Sequence, residues 1–93
     1  MGATLRQNDE LDVTYDRAAD VLYLSIGNPA PALTKGAENG LLIRFDPATN
    51  RVVGVTVLNY EEKFRGLDDM SWLDSKALPS QLTEYLKRRP HFT

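Results

Sequence analysis

From Leu11 the chain begins to alternate. Leu11, Val13 and Tyr15 are separated by Asp12 and Thr14, the period of two expected of a half-buried strand. The run Val21–Ile26, "VLYLSI", is nearly all apolar or aromatic and predicts a strand covered on both faces. Between them, Asp16, Arg17, Ala18, Ala19 and Asp20 fit a hairpin connection built around a type I turn, with Asp16 bonding backbone amides ahead of it. A third strand is predicted over Leu41–Phe45 and a fourth over Val52–Asn59, where Gly54 marks a bulge or a close approach. The turn joining these two, "DPATNR", opens on Asp46. Pro47 presets its backbone angle and Asn50 tolerates a left-handed conformation.

The segment 27–40, "GNPAPALTKGAENG", holds two prolines and three glycines. It is long for a hairpin loop, and is read either as a mobile loop or as the source of an edge segment. Beyond Tyr60 the pattern changes, with a single helical turn expected around Asp68–Leu73 that docks Trp72. A short helix follows over Ser80–Arg89: Ser80 is read as its N-cap, and Leu82, Tyr85 and Leu86 share one face. Lys87, Arg88 and Arg89 suit the negative end of its dipole, and Pro90 stops it. The resulting class is α+β, a four-stranded antiparallel β-meander followed by a C-terminal helix packed on the sheet. Residues 1–10 are read as a flexible arm and 11–93 as a single β-β-β-β-α domain.

The alternation has a consequence for assembly. In "VLYLSI", Leu22, Leu24 and Ile26 face one side of the sheet while Val21 and Tyr23 face the other, so both sides need cover. The helix is too small to shield more than part of one face. A bare apolar face on a small protein predicts a second copy, giving a homodimer by sheet-face stacking or by exchange of the C-terminal segment.

Composition narrows the chemistry. Ninety-three residues give room for one core, and a chain of this size buries roughly 60–65% of its unfolded surface. A formal charge of −2 gives no electrostatic case for nucleic acid. There is no cysteine, which removes disulfides, thiolate catalysis and cysteine metal sites together and suits a reducing cytoplasm. The first residues lack the apolar core of a signal peptide, and no run reaches the roughly 18 apolar residues of a membrane span. The expected location is the cytoplasm.

Candidate side chains each carry a structural and a functional reading. Asp16, Asp20 and Asp46 could converge on a cation, but turn-capping is the reading favoured for all three, with no metal or other cofactor expected. Tyr15 and Tyr23 fall near the same end of neighbouring strands, as an edge-to-face pair or an aromatic platform. Trp72 is read as a core lid, with a binding role as the alternative. "KRRPH", residues 87–91, is the one basic cluster, explained by the helix dipole or by an acidic partner. His91, the single histidine, lies in a terminal segment too loose to hold a general base, and triads and zinc sites lack their ligands.

Two stretches carry a resemblance. "YDRAADVLYLSI", with Tyr15, Asp16, Asp20, Leu22 and Tyr23, is similar to the signature of a small bacterial family catalogued as domain-of-unknown-function family 2283. "GLLIRFDPATNRVVGVTVLN" resembles the second half of that family, and together they run from about Val13 to Asn59. The resemblance implies a small β-meander with a C-terminal helix and no assigned activity. Some relatives look like partners encoded beside toxin-like proteins, which implies an antitoxin-like or regulatory role. No catalytic residue carries over.

The function expected on these grounds is that of an oligomeric protein-interaction module without catalysis. Its surface would draw on Tyr15, Tyr23, Trp72, Lys87, Arg88 and Arg89. The alternatives are a small-ligand-binding protein or an enzyme using carboxylates or tyrosines.

Overall fold

The computed structural model describes residues 10–27 and 31–92. Strands β1 (Leu11–Asp16) and β2 (Val21–Ile26) form the first hairpin, with Leu11 opposite Ile26 and Asp16 opposite Val21. Its turn forms as the residue types dictate: the Asp16 carboxylate accepts the Ala19 amide at 3.2 Å. At the other turn, Asp46 accepts the Ala48 amide at 2.9 Å and Asn50 takes a left-handed φ of 64°.

Among the described residues the sheet has five strands, one more than the sequence pattern suggests. The additional strand, β3 (Leu33–Gly36), lies in the glycine- and proline-rich segment and pairs antiparallel with β4 (Leu41–Phe45). A 3₁₀ turn over Glu38–Gly40 joins them, and β5 (Val52–Leu58) follows β4. The strand order is β1-β2-β5-β4-β3, all neighbours antiparallel. This corrects the simple meander: after β2 the chain passes to the far edge, and β3-β4-β5 runs back until β5 pairs with β2. All four residues of β3 are exposed, so its sequence carries no alternation. An edge strand needs hydrogen bonds on one side only, which lets Gly and a lone Leu serve.

One face of this sheet is the core. Leu22 and Leu24 of β2, Leu41 of β4, and Val55 and Val57 of β5 are fully buried against Tyr60, Phe64, Leu73, Leu82 and Leu86. These partners come from a π-helical turn (Tyr60–Phe64), a 3₁₀ turn (Ser71–Lys76) and helix α1 (Ser80–Lys87). The helix docks through Leu82 and Leu86, with Tyr85 partly buried beside them.

Two local expectations change. The N-cap of α1 is Pro79, and Ser80 is its first helical residue. Pro79, extended at φ −53° and ψ 144°, presents its carbonyl to the amides of Leu82 and Thr83, so the ladder starts one residue early. The strand "VLYLSI" is covered on one face only among the described residues, with Tyr23 42% exposed.

Gly54 sits beside a bulge where Arg44 pairs with Gly54 but Phe45 pairs with Val52. A Cβ there would lie 2.5 Å from the Leu24 carbonyl oxygen, and 3.3 Å from both Ser25 Cα and the Arg44 guanidinium. The missing side chain lets Arg44 of β4 lie across β5 and donate to the Ser25 hydroxyl of β2 at 3.3 Å.

Leu86→Ala should therefore cost about 2–5 kcal/mol in urea unfolding, a large share of a small domain's stability. Gly54→Ala should also destabilise, because backbone rather than a flexible side chain blocks the new methyl. An unchanged urea midpoint for Leu86→Ala would contradict the docking of α1.

Candidate functional site

The polar centre of the molecule is Asp20, at the end of the first turn. Its backbone is left-handed at φ 57°, a conformation Asp tolerates better than most residues. One carboxylate oxygen accepts the Tyr15 hydroxyl at 2.7 Å and the Glu61 amide at 2.8 Å, and the other accepts the Glu62 amide at 3.1 Å. The Asp20 carbonyl accepts the Tyr60 amide at 3.1 Å. Asp20 thus caps a helical turn 41 residues away. That corrects the expectation that it serves its own turn, which Asp16 alone does in this hairpin.

Burial works to raise the Asp20 pKa, but the Glu61 amide, the Tyr15 hydroxyl and the Glu62 amide outweigh it and hold the carboxyl below its ordinary value. The same bond acts oppositely on its donor. Hydrogen bonding to Asp20, with burial and the charges of Asp20 and Glu61, pushes Tyr15 up to about 12. Burial foremost, then the Glu61 charge, raises Tyr60 as well. The Tyr60 hydroxyl donates to the Pro90 carbonyl.

Around this point the aromatic rings join. Phe92 stacks on Tyr15 at 4.8 Å between centroids, and Tyr60 meets both edge-on at 6.2 and 5.6 Å. Glu61 accepts the Phe92 amide at 3.3 Å and lies 3.2 Å from His91 Nδ1, so the C-terminal segment closes over the first hairpin. The sequence gives no sign of this clasp, because its partners are distant in the chain.

Tyr15 and Tyr23 do not pair. Tyr15 is opposite Leu22, and Tyr23 opposite Thr14, so the pleat sends the two rings to opposite faces. Trp72 is half-buried, edge-on to Phe64 at 6.0 Å. The basic cluster is divided rather than presented as one patch. Lys87 pairs with Asp74 at 2.8 Å, and Arg89 donates to the Asp68 carbonyl at 3.1 Å while Arg88 stays exposed. Asp46 lies at the opposite end of the sheet from Asp16 and Asp20, since Val21 faces Leu58 whereas Phe45 faces Val52. Among the described residues no three acidic or histidine side chains gather as a metal site.

The outer face of the sheet is the candidate interaction surface. All three C-terminal elements pack on the core face, and among the described residues nothing lies over the other. Tyr23, Thr56 and Leu42 cross its centre on β2, β5 and β4, with Val21 and Leu58 beside them. Tyr23 and Leu58 are 42% and 38% exposed. The register puts Asp12 on this face at the β1 edge and Arg44 on β4, its guanidinium reaching back across Gly54 to the Ser25 hydroxyl.

The fold and this face define a small α+β protein, an antiparallel sheet capped on one side by its own C-terminal segment. Residues 12–60 match the family model described as Protein of unknown function (DUF2283), and the chain belongs to that family. The matched segment spans the sheet except Leu11 and ends on Tyr60, so it contains Asp20 but stops just before the two amides that the Asp20 carboxylate holds. No curated protein and no solved structure matches the chain. Among the described residues no helix is long and apolar enough to cross a membrane.

The two shifts set opposite pH limits. Asp20, lowered in the fold, contributes stability that is present above its unfolded pKa of about 3.9 and lost as pH falls through the folded value. Tyr15, raised, contributes stability that is present below about pH 10 and lost as pH rises toward 12. Urea midpoints measured across pH should show a shallower acid limb in Asp20→Asn and a shallower alkaline limb in Tyr15→Phe. Limbs identical to the parent's would remove these groups from the account.

Proposed function

We propose that this protein is a non-catalytic interaction module that works as a homodimer through the outer face of its sheet. The observation that carries the reading is the strip of exposed Tyr23 and Leu58 with half-buried Leu42 beside them on the outer face. Such a strip is where a small protein meets a partner.

A second copy is the occupant the charge pattern favours. With a two-fold axis parallel to the strands, the β1 edge of one sheet lies over the β4–β3 side of the other. Asp12 of each copy then comes over β4 of its partner, where the Arg44 guanidinium meets it by leaving the Ser25 hydroxyl, and the apolar centres stack. The opposite axis, perpendicular to the strands, sets carboxylate against carboxylate. Exchange of the C-terminal segment has less to recommend it, since that segment packs on its own sheet through Leu82, Leu86 and Phe92.

Light scattering after size exclusion should give twice the mass of one chain at micromolar concentration. Tyr23→Glu, which places charge at the centre of the strip and touches no core residue, should run as a monomer with its far-ultraviolet spectrum unchanged. A monomeric parent, or a dimeric Tyr23→Glu, overturns the reading.

A further inference from the structure

A cleft of about 410 Å³ lies where the Glu38–Gly40 turn, the end of β5 and the π-helical turn meet. We propose that it binds a small organic carboxylate with an apolar body, at a site that borders the dimer face at Leu58 but differs from it in chemistry.

The lining is divided by type. Leu58 and Leu67 supply the accessible apolar wall, and the fully buried Phe64 lies fixed behind them. Asn39, Asn59 and Lys63 supply the polar groups. Among the described residues, neither carboxamide and no carboxylate engages the Lys63 ammonium, and neither carboxamide has a hydrogen-bond partner of its own. No acidic residue lines the cleft. One cation, two amide donors and an apolar wall are the complement of a carboxylate joined to a hydrocarbon or aromatic group. The volume lies toward the small end of the roughly 300–1,000 Å³ typical of ligand clefts.

The frame is held rather than loose. Asn39, Gly40 and Asn59 have left-handed backbones, with φ of 58°, 76° and 53°. Such conformations persist where the surroundings enforce them, and π-helical turns often accompany functional sites. Gly40 packs so closely on β5 that a Cβ would lie 3.1 Å from the Leu58 carbonyl oxygen. A second cleft, of about 350 Å³ beside α1, offers a contrast. Its cation, Lys87, is already paired with Asp74, and Glu84 adds a further carboxylate. That chemistry repels the same ligand.

The sole tryptophan gives a readout, because Trp72 meets Phe64 edge-on at 6.0 Å. The probe is 3-phenylpropionate, titrated into the full chain against its neutral amide. Trp72 fluorescence should change saturably, with amide shifts concentrated at Asn39, Gly40, Asn59 and Lys63. Lys63→Met removes an exposed side chain that bonds nothing else and should weaken binding about tenfold or more, as should the neutral probe. Asn59→Gly keeps the left-handed backbone while deleting the carboxamide, and should also weaken binding. Tyr23→Glu should bind as the parent does, whatever its oligomeric state. Absence of saturation up to about 10 mM, far weaker than the roughly −4 kcal/mol of a millimolar site, overturns the proposal. So do equal affinities for parent and Lys63→Met, or shifts confined to other parts of the molecule.

Discussion

The carboxylate of Asp20 is where the first hairpin and the C-terminal cap are joined. It accepts two successive backbone amides, those of Glu61 and Glu62, at the start of the turn that brings Tyr60 and Phe64 into the core. Those amides have no intrahelical acceptor, so without Asp20 they would be left to water. The direction in which the chain leaves β5 follows from this bond together with the left-handed residue Asn59. Everything after Tyr60 then falls on the same side of the sheet. Tyr15 adds a third donor to Asp20, and its ring is the platform on which Phe92 stacks. One acidic side chain thus organises the turn, the aromatic cluster and the return of the C-terminal segment.

That arrangement decides what the rest of the sheet can do. A chain of 93 residues has enough material to cover one face of a five-stranded sheet, and the clamp commits that material to the side of Leu22, Leu24, Val55 and Val57. The opposite side keeps Tyr23 and Leu58 exposed and Leu42 half-buried, with no helix or turn over them among the described residues. The open face that supports the dimer reading and the closed core are two consequences of one choice of side. The cleft beside Lys63 arises at the same junction, where the turn after β5 departs from the sheet.

Much of the sheet is legible in the sequence, because its central strands obey local rules. The alternation in Val21–Ile26 gives the correct sides for Leu22, Leu24 and Tyr23, and the residue types at Asp16, Asp46 and Asn50 announce their turns. Gly54 is legible as a close approach. β3 is legible only as one of two alternatives for 27–40, an edge segment rather than a loop, because an exposed strand of four residues buries nothing and leaves no periodic trace. The π-helical turn escapes for a different reason. "YEEKF" has too few residues to show a helical period, and its cap comes from Asp20, far earlier in the chain. Tyr15 and Tyr23 look like a pair only while the register is unknown. Setting Tyr15 opposite Leu22 separates them.

Hydrogen exchange at the Glu61 and Glu62 amides tests the central claim most directly, because among the described residues these protons bond only to the Asp20 carboxylate. In the parent they should exchange slowly, on the scale of the neighbouring β2–β5 ladder amides. In Asp20→Ala they should exchange far faster, along with the amide of Phe92, while the ladder amides between β2 and β5 keep their protection. If Glu61 and Glu62 exchange at the same rate in both proteins, the clamp does not hold the cap, and the side on which the C-terminal segment packs must be set by something else.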